Sequence, residues 1–113
     1  LLSTPLSAQQ RFDVTETTIA SVHAEINAGR LTCRALVQAY LDRIAAYDKR
    51  GPTLNAIQTL HPRALAIADS LDAVQRSGAA RGPLHCVPVL LKDQVETKDM
   101  RTTYGSALFK DFV

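Results

Sequence analysis

An apolar run, Val87–Leu91, that ends abruptly at Lys92-Asp93 places the strongest constraint on how this chain can fold. A short apolar run that follows Gly82-Pro83 and gives way to polar residues is typical of a buried strand. Ligands bind beyond the carboxyl ends of strands in open α/β sheets, so Lys92 becomes a candidate for chemistry. The ordinary alternative is that Lys92 only solvates the end of the strand or forms a surface ion pair.

The remaining pattern predicts three one-sided helices and a second strand, in the order helix, helix, strand, helix, strand. The first helix begins at Thr17 or Thr18 and ends at Gly29, the second runs from Thr32 to Gly51, the third runs from His61 to Gly78, and the second strand covers residues 54–60. Two strands alone make a marginal sheet, so the chain is expected to need further strands. His23, on the apolar face of the first helix, is expected to be a satisfied core histidine rather than a ligand.

Composition excludes several classes of function. The 113 residues carry a formal net charge of +2 with scattered basic residues and 5% aromatics, which does not favour a nucleic-acid partner. The sequence contains no apolar run of membrane-spanning length, and no membrane partner is expected. Cys33 and Cys86 form neither a disulfide framework nor a metal-binding pair, so we predict buried free thiols, no metal and no cofactor.

Residues 1–14 show no periodicity and are expected to be an extended lead-in. The small and apolar residues 1–8 resemble the tail of a removed signal peptide, but a disordered terminus explains them as well. Both a cytoplasmic and a secreted location therefore stay open.

Two phrases, PLHCVPVLLKD at residues 83–93 and TTYGS at residues 102–106, resemble the start of the amidase signature family. The resemblance extends from about Thr18 to the end of the chain. It implies an α/β fold with helices packed on a mixed, mostly parallel sheet. It also implies that residues 15–113 are the amino-terminal part of a single amidase domain truncated at 113, and so incomplete on their own.

The family hydrolyses amides with a serine nucleophile, a bridging serine in a cis peptide and a lysine, and the resemblance places this catalytic lysine at Lys92. Both serines belong to a Gly/Ser-rich segment beyond Val113. The residues expected to support the site or lie near the substrate are Asp93, Thr102, Thr103, Gly105 and Ser106. For Ser106, a purely structural turn is an equal alternative.

Physical chemistry sets two conditions on this assignment. A lysine acts as a base only when neutral, and burial in apolar surroundings favours the neutral form. Asp93 should point to the face opposite Lys92 and accept backbone hydrogen bonds from the following loop. The sequence departs from the family at Cys86, where glycine is frequent, and at Gln94, where asparagine is frequent.

The resemblance implies an amidohydrolase that acts on a carboxylic amide and of which this chain supplies only the lysine. The alternatives are a glutamine-hydrolysing subunit of a transamidation complex and a non-catalytic truncated module. The expected partners are a small-molecule amide substrate and the remainder of the same amidase domain. The complete protein is also a candidate homodimer, whereas residues 1–113 alone are expected to be inactive.

Overall fold

The computed structural model describes residues 11–113, so the proposed signal-peptide remnant at residues 1–8 lies outside the described residues. Three α-helices carry this part of the chain: α1 (Ile19–Asn27), α2 (Cys33–Arg43) and α3 (Ala64–Ser77). A π-helical turn, Ile44–Asp48, continues α2, and a short 3-10 turn, Ala107–Phe109, lies near the end. The order of the three helices agrees with the sequence pattern.

Hydroxyl caps determine where the first two helices begin. The Thr18 side chain accepts a hydrogen bond from the Ser21 amide at 3.1 Å, and the Thr32 side chain accepts one from the Ala35 amide at 3.0 Å. Each bond satisfies a backbone donor that has no partner within its helix. The start of α1 at Thr18 and the start of α2 at Thr32 are therefore confirmed.

A small core lies where the helices meet. Val22 and Ile26 of α1, Leu36 of α2 and Ala68 of α3 are buried, and α2 packs against α3. The alanine lets the two helices approach closely. Many large apolar side chains stay outside this core, and the Cα radius of gyration is 17.3 Å. A compact domain of about 100 residues has a radius near 13 Å, so this stretch of chain is extended rather than closed on itself.

Neither predicted strand is formed within residues 11–113. In residues 54–60 the backbone amides are used locally: the Asp48 carboxylate accepts from the Ala56 amide at 2.6 Å, and the Tyr47 carbonyl accepts from Leu54 at 3.1 Å. Residues 87–91 have no neighbouring strand among residues 11–113. The sheet therefore stays a prediction, and it requires strands from elsewhere.

The prediction of free thiols is wrong, because Cys33 and Cys86 form a disulfide bond. Their Cα atoms are 5.0 Å apart and 53 positions separate them in sequence. Both side chains are buried, as expected. The pairing arises because the fold brings the first residue of α2 against the loop that follows α3, a proximity that spacing in the sequence does not reveal.

None of the helices within residues 11–113 combines the length and the apolar character needed to cross a membrane.

Candidate functional site

Lys92 opens a tight turn. Its carbonyl accepts a hydrogen bond from the Val95 amide at 2.9 Å, which reverses the chain directly after the apolar run. The Lys92 side chain is exposed to solvent. Val89, Leu90 and Leu91, which were expected to form an apolar wall beside it, are themselves 63%, 77% and 52% exposed. Residues 11–113 thus present the lysine without the burial that a neutral base requires.

Asp93 ties this turn to the TTYGS segment. Its Oδ1 accepts a hydrogen bond from the Thr103 amide at 2.9 Å, and its Oδ2 accepts one from the Thr103 hydroxyl. These bonds from the Thr103 hydroxyl and backbone hold the pKa of Asp93 below its usual range, against a smaller opposing effect of burial. Asp93 therefore accepts backbone and side-chain hydrogen bonds from the following loop, as the sequence predicts.

Thr102 holds the same loop from the inside. Its side chain is 2% exposed, its amide donates to the Phe112 carbonyl at 3.0 Å, and its hydroxyl lies 3.4 Å from the Val95 carbonyl. Tyr104, Phe109 and Phe112 pack their rings against one another with centroids 5.6 to 6.4 Å apart. The segment after Lys92 consequently folds into one closed loop, which we call the lysine loop (residues 92–112).

Gly105 and Ser106 shape the far end of the lysine loop. Gly105 has φ +71°, in the left-handed region that favours glycine, and a Cβ there would meet open space. The conformation rather than close packing therefore calls for glycine. The Ser106 hydroxyl accepts a hydrogen bond from the Leu108 amide at 3.2 Å and so caps the 3-10 turn. This geometry favours the structural alternative for Ser106.

All six predicted site residues lie in the lysine loop and take part in its hydrogen bonds, but Lys92 does so only through its backbone carbonyl. Asp93, Thr102, Thr103, Gly105 and Ser106 share one network of turns, which includes the 3.2 Å bond from the Gly105 amide to the Thr103 hydroxyl. The Lys92 ammonium group has no hydrogen-bond partner among residues 11–113. The loop therefore fixes the backbone of Lys92 and leaves its side chain available.

Two buried carboxylates that the sequence analysis missed support the helices behind the site. Asp72 of α3 accepts hydrogen bonds from the Cys33 amide at 2.7 Å and the Arg34 amide at 3.1 Å, so it caps α2 from outside. Asp48 accepts from residues 56 and 57; burial opposes its ionisation, but these hydrogen bonds and Lys49 lower its pKa overall. Asp72 lies one turn after buried Ala68, on the same apolar face of α3. A carboxylate on an apolar helix face was the one feature of the sequence that could have indicated a buried cap.

A second cluster contains residue types that bind metals. Side-chain ligand atoms of Cys33, His85 and Cys86 lie within 4.8 Å of one another. Both sulfur atoms are consumed by the disulfide, so neither offers a thiolate. His23 lies beside this cluster, with Nε2 2.9 Å from the His85 carbonyl oxygen, so its ring has a hydrogen-bond partner as predicted, but it is half-buried at the edge of the core rather than inside it. The oxidised cluster thus lacks the ligands for a metal centre.

Comparison with known proteins identifies the class of this chain. The family model named Amidase matches residues 35–113, which include the whole lysine loop. The chain belongs to this amidase family.

Individual relatives agree with that assignment. A Schizosaccharomyces pombe protein whose name places it among the amidases is 39% identical over 90% of this chain and 17% of its own length. A glutamyl-tRNA(Gln) amidotransferase subunit from Thiobacillus denitrificans is 42% identical over 84% of this chain and 19% of its own. The native peptide amidase of Stenotrophomonas maltophilia superposes with a TM-score of 0.83 at 45% identity, over 86% of this chain and 20% of that one. The chain thus spans about a fifth of the length of these proteins.

Proposed function

We propose that this chain is the lysine-bearing part of an amidase that hydrolyses linear carboxylic amides, with Lys92 as its base. The observation that carries the proposal is the lysine loop, in which the Asp93 carboxylate, inside the turn that Lys92 opens, binds the amide and the hydroxyl of Thr103. Family membership supplies the reaction class. The assignment of the base to Lys92 rests on its place in the LLKD phrase.

The chemistry requires a nucleophile that this chain does not contribute. A serine hydroxyl attacks the amide carbonyl once a base takes its proton, and the carbon–nitrogen bond of the resulting tetrahedral intermediate then breaks. In the proposed Ser–cis-Ser–Lys arrangement, Lys92 receives that proton through the bridging serine. The same proton is then returned to the departing amine or ammonia. Water hydrolyses the acyl-enzyme and regenerates both groups.

The exposed apolar run before Lys92 supports the proposal that further parts of an amidase domain pack over it. Val89, Leu90 and Leu91 lie uncovered next to a lysine that must lose its charge to act as a base. Packing of the remaining amidase domain over this run would bury it and remove water from the lysine, which favours the neutral form. It would also supply the strands that residues 87–91 lack. We propose that the mostly parallel sheet of the complete domain forms there.

Two substrate classes follow from the relatives. One structural neighbour is named a peptide amidase, which favours a peptide amide as substrate. The second candidate is glutamine hydrolysis within a transamidation complex, and it is favoured by the 42% identity to a component of a glutamyl-tRNA(Gln) amidotransferase. A non-catalytic module is the remaining alternative, and loss of the serines would identify it.

Ammonia release by the complete protein tests these proposals together. A peptide amidase releases ammonia from a peptide carboxamide without any partner, whereas the corresponding component of an amidotransferase acts on glutamine and depends on its complex. Activity on the carboxamide that vanishes in Lys92→Ala supports the first proposal. Ammonia from neither substrate, in a folded protein that contains both serines and is measured with and without the other components of an amidotransferase complex, would contradict both candidate substrates.

A further inference from the structure

We infer that Cys33 and Cys86 are positioning residues for the amide hydrolysis proposed above: their disulfide holds the backbone at residue 86 in the conformation that directs the segment before Lys92. This inference rests on the proposed function of Lys92. It goes beyond that function, because it makes the geometry of the base depend on an oxidised cysteine pair.

The Cys33 end of the bond is firmly anchored. Cys33 is the first residue of α2 and its side chain is fully buried. Its amide donates to the Asp72 carboxylate at 2.7 Å, which joins it to α3, and Thr32 caps the same turn. Motion of Cys33 would therefore disturb two helices and the core between them.

At the Cys86 end, the backbone conformation is unfavourable for a residue with a side chain. Cys86 has φ +63°, in the left-handed region that side chains with a Cβ rarely adopt. Glycine takes this conformation readily, whereas a cysteine adopts it at a steric cost. The tether to Cys33 supplies the restraint, and the contact between His23 and the His85 carbonyl lies directly beside it.

Residue 86 determines where the following segment goes. The chain turns here, with the Val87 amide donating to the Leu84 carbonyl at 3.0 Å. Val87 and Pro88 then line a small cavity of about 70 Å³ together with Val22, Leu36 and Tyr40 of α1 and α2. The rest of the apolar run makes little contact, as its exposure shows. Among the described residues, the turn at residues 84–87 thus contains the last backbone hydrogen bond before the turn that Lys92 opens.

Formation of the bond needs an oxidant, for which a small-molecule or protein disulfide suffices. One cysteine thiolate attacks that disulfide and releases a thiol, and the second cysteine displaces the other half. Both electrons and both protons leave with the reduced oxidant. Because such bonds persist in oxidising compartments, the pair favours the secreted one of the two locations that the sequence leaves open.

Three variants of the complete protein separate the tether from the backbone conformation. Cys33→Ala removes the bond and leaves residue 86 unrestrained. Cys33→Ala/Cys86→Gly removes the bond but restores easy access to a left-handed backbone, and Cys33→Ala/Cys86→Ala removes the bond without that access. The Lys92→Ala variant, with its disulfide intact, is the reference for lost chemistry.

We expect the unmodified protein to show no free thiol from this pair under denaturing, non-reducing conditions. On a peptide carboxamide, Cys33→Ala should lower kcat by up to about 100-fold with little change in KM, since a displacement of about 1 Å near the chemistry has that effect. Dithiothreitol should do the same to the unmodified protein. The glycine double variant should have a kcat near that of the unmodified protein, and dithiothreitol should not change it. The alanine double variant should keep the lowered kcat.

Several results would overturn the inference. Two free thiols in the unmodified protein would do so, as would a normal kcat in folded Cys33→Ala with only its melting temperature lowered. Equal behaviour of the glycine and alanine double variants would also contradict it. If the protein hydrolyses no amide at all, hydrogen exchange over residues 87–95 still tests the role of the disulfide. Exchange should be faster in Cys33→Ala and should return to the rate of the unmodified protein in the glycine double variant.

Discussion

The carboxylate of Asp93 binds both the amide and the hydroxyl of Thr103, ten positions further along the chain. This pair closes the lysine loop immediately after Lys92. Because the carboxylate bonds to backbone as well as to a side chain, it sets the path of the chain rather than the position of one side chain. The direction in which Lys92 leaves the apolar run depends on this closure.

The Thr103 hydroxyl can be tested by itself. Thr103→Val keeps the shape and the backbone amide but removes the hydroxyl that donates to Asp93 Oδ2 and accepts from the Gly105 amide, which should lower the free energy of unfolding by about 1 to 3 kcal/mol. Thr97→Val is the matched control, because the Thr97 hydroxyl makes only a long contact of 3.5 Å to the Met100 carbonyl. Urea unfolding of both variants of the complete protein measures the difference. Equal effects would argue against the role of Thr103.

Closure of the lysine loop should depend on pH in the acid range. The pKa of Asp93 is lower in the folded protein because hydrogen bonds from Thr103 favour the charged carboxylate. The stabilisation is therefore fully present above the unfolded value of about 4 and is lost as pH falls through the lowered folded value. Hydrogen exchange at Thr103 and Gly105 should quicken over that range. In Asp93→Asn the same step should be absent, and its persistence there would assign it to another group.

Asp72 should matter far more than its neighbour on the same helix. Asp72→Ala leaves the Cys33 and Arg34 amides without their acceptor at the buried start of α2, at a cost of about 1 to 3 kcal/mol. Asp69→Ala removes only an exposed ion pair with Arg34, worth about 0 to 1 kcal/mol. Thermal unfolding of the two variants provides the comparison. A larger loss in Asp69→Ala would contradict the capping role.

Local signals in the sequence predicted the helices, but contacts between distant residues were not predictable in the same way. Thr18 and Thr32 predicted where the helices start, because a capping side chain binds a backbone amide only three residues away. The bond between Cys33 and Cys86 depends on how α1, α2 and the loop after α3 come together. The same holds for Asp72, whose partners are 38 and 39 positions away.

The lysine loop was partly predictable for a different reason. The role of Asp93 as an acceptor was predicted from the loop that follows it, and the structure agrees. The predicted burial of Lys92 is not seen, because its side chain is exposed within residues 11–113. An apolar wall needs side chains from neighbouring strands, and within residues 11–113 no strand lies beside residues 87–91. The side chains of a segment can be read from its own sequence, whereas the residues that pack over it lie elsewhere in the chain and cannot.

Residues 1–113 expressed alone should turn over no amide. One member of a catalytic set does not perform acyl transfer without its nucleophile. The exposed apolar run, including Leu90 at 77% exposure, should also make this piece poorly protected against hydrogen exchange. Hydrolysis of an aryl amide by the piece, lost on mutation of one of its own serines, would show that the nucleophile lies here after all.

The most direct test of the central claim is kcat of Lys92→Ala in the complete protein, measured together with its melting temperature. If Lys92 is the base, kcat should fall by about three orders of magnitude or more while the protein still melts near the normal temperature. Lys92→Arg should do little better, because a guanidinium does not lose its proton. Lys98→Ala and Lys110→Ala, which change exposed lysines of the same loop, should stay active. A folded Lys92→Ala protein with near-normal kcat would contradict the assignment.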